Sequence, residues 1–198
     1  MFKKNHYQFT NLCLNFKTLS QKAKTRIVMI TSSNQGEGKT TIAINLTRQL
    51  AEEGKRVLIV DADIDHQDLS IILNAQGRSG FLNLLKENAF SKFELYILNT
   101  QIKGLEILPI GNVDSKELSF EYKGLFEYLR MILNHYDYII FDSSVINNPI
   151  TRSLVINSDG VILVARQNDT LKRDMLMTKK IVNELGGKTL GWVLNAVK

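Results

Sequence analysis

Residues 26–54, RIVMITSSNQGEGKTTIAINLTRQLAEEG, restrict the fold of this chain more than any other stretch. A short apolar run rich in Val and Ile gives way to a loop with two glycines. A helical pattern follows, closed by Gly54. Five more apolar runs recur downstream: RVLIVDA (56–62), LEILPIG (105–111), YDYIIFD (136–142), GVILVAR (160–166) and TLGWVLNAV (189–197). Helical spacing separates several of them, in KELSFEYKGLFEYLRMILNHY (116–136) and TLKRDMLMTKKIVNELG (170–186). Strands that are apolar on both sides, with helices between them, predict a mainly parallel sheet covered on both faces. The expectation is a doubly wound α/β fold. Residues 76–104 are the least regular and read as short helices and loops.

At 198 residues and 44% apolar content the chain can bury one sizeable core. The expected division is a basic helical segment, 1–25, followed by a nucleotide-binding domain, 26–198. A single cysteine, Cys13, cannot pair within the chain, and no apolar run approaches the ~20 residues needed to span a bilayer. A soluble cytoplasmic protein is expected. The net charge of +5 is uneven: Lys3, Lys4, Lys17, Lys22, Lys24 and Arg26 precede the first acidic residue, Glu37. That asymmetry suits an acidic partner, an anionic membrane surface or nucleic acid, and equally a solvated basic arm. Within residues 5–20, Phe9, Leu12, Phe16 and Leu19 mark one helix face. Packing on the chain's own domain is the first expectation for it, with a neighbouring subunit or lipid as the alternative.

The loop itself points to phosphate. The general pattern G-x-x-x-x-G-K-[ST] would begin with glycine where this chain has Ser33, but the rest is intact. Gly36 and Gly38 let the backbone approach phosphate oxygens, and the helix that follows turns its positive end to the same place. The residues expected to bind nucleotide are Asn34, Gln35, Gly36, Glu37, Gly38, Lys39, Thr40 and Thr41. Lys39 would reach the terminal phosphates and the Thr40 hydroxyl would ligate Mg²⁺. The expected cofactors are ATP and Mg²⁺, on a P-loop NTPase fold.

Two acidic motifs complete the candidate site. In VLIVDADIDHQD, an extended backbone would set Asp61, Asp63 and Asp65 on one side at the end of a strand, where open α/β sheets bind ligands. A calcium loop is excluded because His66 and Ile72 stand where its glycine and glutamate belong. In YDYIIFDSS, Asp142 ends an apolar run, as a Mg²⁺-binding Walker B acid does; the alternative is a helix cap. His66 reads as an exposed turn residue and Trp192 as core.

With these motifs in place, the chain resembles the bacterial tyrosine kinases (BY-kinases) of capsule and exopolysaccharide synthesis. The resemblance runs through TSSNQGEGKTT, NLTRQLAEEGKRVLIVDAD, LEILPIGNVDSKEL, YDYIIFD, DGVILVARQNDT and LGWVLNAV. It implies catalytic roles for Lys39, Asp61 and Asp63. Asp61 would serve as Mg²⁺ ligand or as base for the tyrosine proton, Asp63 as its metal-site partner, and Asp142 as the Walker B acid. Asn195 becomes a candidate contact to the adenine, or else a strand-end turn residue. Thr40, Asp61 and Asp142 are then the candidate metal ligands. The resemblance also implies a membrane-embedded chain-length regulator as activator, recruitment to the inner face of the membrane, and assembly with further copies. Nucleic acid is not expected as a partner.

This chain departs from the family's pattern at several positions. Asp65 and Gln67 replace the arginine and proline of D-x-D-x-R-x-P, and Ser144 and Val145 follow Asp142 and Ser143 where a Pro-Pro pair is usual. Tyr7, Thr10 and Cys13 occupy the E-x-x-R-x-x-R positions, and no tyrosine follows Tyr138. The expected function is an ATP-dependent protein-tyrosine kinase. The alternatives are a pseudokinase or nucleotide-gated scaffold, and a partitioning-type ATPase, the latter weakened by Asn34 standing where such ATPases carry an early lysine.

Overall fold

The protein is described by a computed structural model over residues 3–87, 90–112 and 123–196. Seven strands form one sheet: β1 (Ile27–Ser32), β2 (Val57–Ala62), β3 (Leu98–Asn99), β4 (Leu105–Leu108), β5 (Tyr138–Ser143), β6 (Gly160–Arg166) and β7 (Thr189–Asn195). Their order across the sheet is β3-β4-β2-β5-β1-β6-β7, parallel throughout except for the antiparallel β3–β4 pair. The helices are α1 (Lys3–Ala23), α2 (Lys39–Glu52), α3 (Asp68–Ile72), α4 (Phe81–Glu87), α5 (Lys123–Ile132), α6 (Pro149–Asn157) and α7 (Lys172–Glu184), with a 3-10 turn at Phe90–Tyr96. A doubly wound, mainly parallel α/β sheet is therefore the observed architecture.

Two apolar clusters show why the runs lack polar alternation. Met29, Leu58, Val60, Ile139, Phe141 and Leu163 join one cluster, with α4, α5, α6 and Val182 of α7. Val28, Ile30, Ile59, Ile140 and Val164 join the other, with α1, α2 and Leu69 of α3. Successive residues of each inner strand thus enter opposite layers, so both faces must be apolar.

α1 belongs to the second layer. Cys13 and Phe16 are buried there, Phe9 and Leu12 pack against it, and the Phe16 ring lies 5.1 Å from that of Tyr138. An ion pair from Lys17 to Glu53 ties α1 to the end of α2. The apolar face is narrower than its spacing predicts, because Leu19 is exposed. Burial lifts the Cys13 thiol to about 11, which leaves it un-ionised at neutral pH.

Some boundaries moved. The third run ends at Leu108, since Pro109 has no N–H for a ladder. Of the expected long helix over 116–136, the described part is Lys123–Ile132, and 116–122 lies outside the described residues, as does Val197. α6 was not separately anticipated, although Asn148 caps it by accepting the Ile150 N–H at 2.9 Å and Pro149 opens it. No helix among the described residues is long and apolar enough to cross a membrane.

Candidate active site

The loop between β1 and α2 is held from behind. Gly36 (φ +74°) and Gly38 (φ +94°) occupy the left-handed region that side-chain-bearing residues avoid. Gly38 caps α2 without any side-chain hydrogen bond. The first-turn N–H groups therefore have no intrahelical partner and point to where an anion would sit. Glu37 is buried. Its Oε2 accepts the N–H groups of Ser33 (3.0 Å) and Asn34 (3.1 Å), and its Oε1 accepts the Asn34 amide (3.2 Å) and the Thr170 hydroxyl. Asn195 Nδ2 donates to the Glu37 carbonyl at 3.0 Å, and the Ser33 and Thr178 hydroxyls lie 2.8 Å apart. The loop is thus stapled to the β6–α7 connection, to α7 and to the end of β7.

Asn34 spends its N–H and side-chain amide inside the loop, while Asn34, Gln35, Gly36 and Thr41 are exposed. Glu37→Ala should lower nucleotide affinity roughly ten-fold, because two part-buried N–H groups lose their acceptor at ~1–3 kcal/mol. Titration with a fluorescent ADP would measure it.

The acids arrive by sheet register. Asp61 of β2 pairs directly with Asp142 of β5, which pairs in turn with Ile30 of β1, just before the loop. Asp61 and Asp142 are fully buried and Asp63 nearly so. Asp65 departs from the expectation that three carboxylates share one side. Asp63 Oδ1 accepts the N–H groups of Asp65 (3.1 Å) and His66 (3.3 Å), which turns the chain and leaves Asp65 at the exposed rim. His66 is exposed beside it, as its position in a turn requires.

Each acid has a distinct environment. Asp61 Oδ2 accepts the Ser70 N–H (2.9 Å) and hydroxyl (2.5 Å), and Oδ1 accepts the Asp63 N–H at 3.3 Å. Burial nevertheless raises its pKa to about 6, against the downward pull of Ser70. Asp63 receives the Ser144 hydroxyl at 2.7 Å and lies 3.8 Å from Lys39 Nζ. Asp142 is pushed well above the carboxylate range, chiefly by burial, then by Asp61 and Asp63. Thr40 and Lys39 oppose that shift, yet neither Asp142 oxygen has a hydrogen bond of acceptable geometry.

An orphaned, fully buried carboxylate beside the Thr40 hydroxyl and the phosphate-facing loop fits a divalent cation. Among the described residues no group of three or more His, Cys, Asp or Glu is arranged to hold a metal alone. A Mg²⁺ here would take most of its oxygens from phosphate and water, which is its usual habit. A cleft of about 650 Å³ lies elsewhere. It is lined by Arg56, Lys103, His135 and Tyr136 at the amino ends of β2 and β4, the opposite edge of the sheet from the loop.

Sequence reasoning missed Ser70, Thr170 and Thr178, which brace the site from remote elements. Ser144 was visible as a departure from the family pattern, but its bond to Asp63 was not. Asn195 was expected, and the structure places it against the loop backbone.

A model of the AAA domain family matches residues 25–174. "Tyrosine-protein kinase CpsD" of Streptococcus agalactiae is 30% identical over 198 residues, covering 98% of this chain and 84% of that protein. The solved BceF tyrosine kinase domain superposes with a TM-score of 0.84 at 23% identity, over 98% of this chain and 78% of that one, which is a likeness of fold. The septum site-determining protein MinD of Pyrococcus horikoshii, complexed with Mg-ADP, gives 0.74 at 29% identity, over 86% and 70%. The chain belongs to the BY-kinase family of P-loop NTPases, which shares its fold with MinD-type ATPases.

Proposed function

We propose that the protein binds ATP with Mg²⁺ and transfers the γ-phosphoryl group to tyrosine. The observation that carries this is the crevice in which an uncapped loop-helix N-terminus, Lys39 and Thr40 face Asp61, Asp63 and the unpartnered Asp142. The amides from Gly36 to Thr41 would cradle the phosphates, and Lys39 would exchange Asp63 for them. Thr40 and Asp142, with Asp61 behind them, would hold Mg²⁺, which supplies neutralisation of phosphate charge when bound. Asp61, raised by burial, or Asp63 would accept the phenolic proton. Asn195, half-buried beside the loop, would border the adenine.

The likeness to capsule tyrosine kinases supports a role in capsule or exopolysaccharide synthesis, with a membrane-embedded regulator as activator at the inner face of the membrane. The basic residues before Glu37 would add affinity for anionic lipid. Incubation with labelled ATP and the cytoplasmic tail of that regulator should place phosphate on tyrosine. Lys39→Met should lower the rate at least about 100-fold, since positioning and charge carry this chemistry.

A second reading is a nucleotide-gated scaffold. It is favoured by Ser144, which donates to Asp63 Oδ1 where the family usually has proline, and by Asp65 in place of an arginine. Nucleotide binding and hydrolysis without any phosphotyrosine would select it and reject the kinase.

A further inference from the structure

We infer that Tyr7 is an acceptor of the phosphoryl group, presented by one copy of the chain to the acidic crevice of a second; this rests on the kinase reading above. Six tyrosines occur in the sequence, and Tyr122 lies outside the described residues. Four of the others are engaged. Tyr136 is buried and donates to Glu106, and Tyr138 is buried with its hydroxyl 3.2 Å from Ser20 Oγ. Tyr128 stacks obliquely on Phe93 at 5.3 Å, and Tyr96 donates to Glu87 at 2.8 Å. Tyr7 is 75% exposed.

Charge supplies a second, independent argument. Tyr7 lies in KKNHYQF, within the opening stretch that carries six Lys and Arg and no acid before Glu37. The mouth of the nucleotide crevice has the opposite character. Residues 61–77 contain four aspartates and no lysine or arginine, and Arg78 is the first cation after them. Asp65 and Asp68 are exposed there, and neither forms an ion pair among the described residues. A basic tyrosine segment is thus the acceptor this rim attracts, and an acidic one is repelled. Tyr7 sits in α1, which Cys13 and Phe16 hold against the α2 layer, and its side chain is exposed on that helix.

In the step, the bond from the γ-phosphorus to the β–γ bridging oxygen breaks and a bond to the Tyr7 phenolic oxygen forms. The electron pair leaves with ADP, and the phenolic proton passes to a crevice carboxylate and on to water.

The test mixes two full-length variants with ATP, MgCl₂ and the cytoplasmic tail of the activating regulator. Lys39→Met serves as acceptor and Tyr7→Phe, with Lys39 intact, as donor; phosphotyrosine is mapped by mass spectrometry. A copolymer of lysine and tyrosine is included as an outside acceptor. Phosphate is expected on Tyr7 of the Lys39→Met copy, and absent when that copy is alone. Replacing Asp65 and Asp68 of the donor by lysine should reduce Tyr7 labelling about ten-fold at low salt. Without ATP, anisotropy of a fluorescent peptide of residues 1–12 should show binding to the Lys39→Met chain that salt weakens. Labelled copolymer or labelling at other tyrosines, with Tyr7 bare, overturns this inference and leaves the kinase reading standing. Phosphate on neither the chain nor the copolymer overturns both.

Discussion

Asp142→Asn should melt roughly 3–6 °C higher than the parent chain at pH 8 and should lose the Mg²⁺-dependent part of its nucleotide binding. The carboxylate is fully buried without a hydrogen-bonding partner, and its pKa is raised well above the 3.8 usual for an accessible aspartate. Below pH 4 it is protonated in both the folded and the unfolded chain, and it does not oppose folding. As the pH rises, the unfolded chain ionises first and so becomes relatively favoured. The stability present at low pH is lost progressively until Asp142 itself ionises in the folded state. An amide of the same shape cannot ionise, so the advantage of the variant grows with pH from about 4 upward. Asp61, lifted to about 6, adds a cost with the same sign. For Asp61 the rise from 3.8 to about 6 corresponds to roughly 3 kcal/mol, a large share of a domain's net stability. Thermal melts at pH 5 and pH 8, with and without Mg²⁺ and ADP, would measure both halves. A variant no more stable than the parent at pH 8 would show that the buried acid is not a stored cost.

Gly38→Ala should weaken nucleotide binding about 100-fold, equivalent to roughly 2.7 kcal/mol. Two effects combine. At φ +94° an alanine is strained by ~1–2 kcal/mol. Its Cβ would also come within 2.0 Å of Asn195 Nδ2, forcing that amide off the Glu37 carbonyl and slackening the loop. The second effect can be isolated. In an Asn195→Ala background the collision is gone and only the backbone strain remains, so the double variant should lose less than the two single losses summed. Calorimetric titration of ADP into the four proteins would close the cycle. Strict additivity would show that Asn195 does not support the loop.

The architecture was legible because it rests on local periodicity. Uninterrupted Val/Ile/Leu runs between helical stretches can only be strands buried on both faces, and the glycine loop before α2 announces its anion site by residue type alone. Short elements such as α3, α4 and β3 gave no signal, since two to seven residues are too few to display a period. Asp65 was misplaced for a related reason. Alternation holds only while the backbone stays extended, and Asp63 ends the extension by accepting the next two N–H groups.

What this sequence determined by itself was the set of parts: a parallel sheet, a phosphate loop, and carboxylates at the ends of β2 and β5. Local chain geometry is enough for those. The tertiary structure alone decided which acid is left without a partner, because that depends on strands brought side by side by register. It also decided that Glu37, Thr170, Thr178 and Asn195 converge on one loop. Those contacts join residues up to 158 positions apart in the chain, and no local pattern encodes a hydrogen bond over that separation.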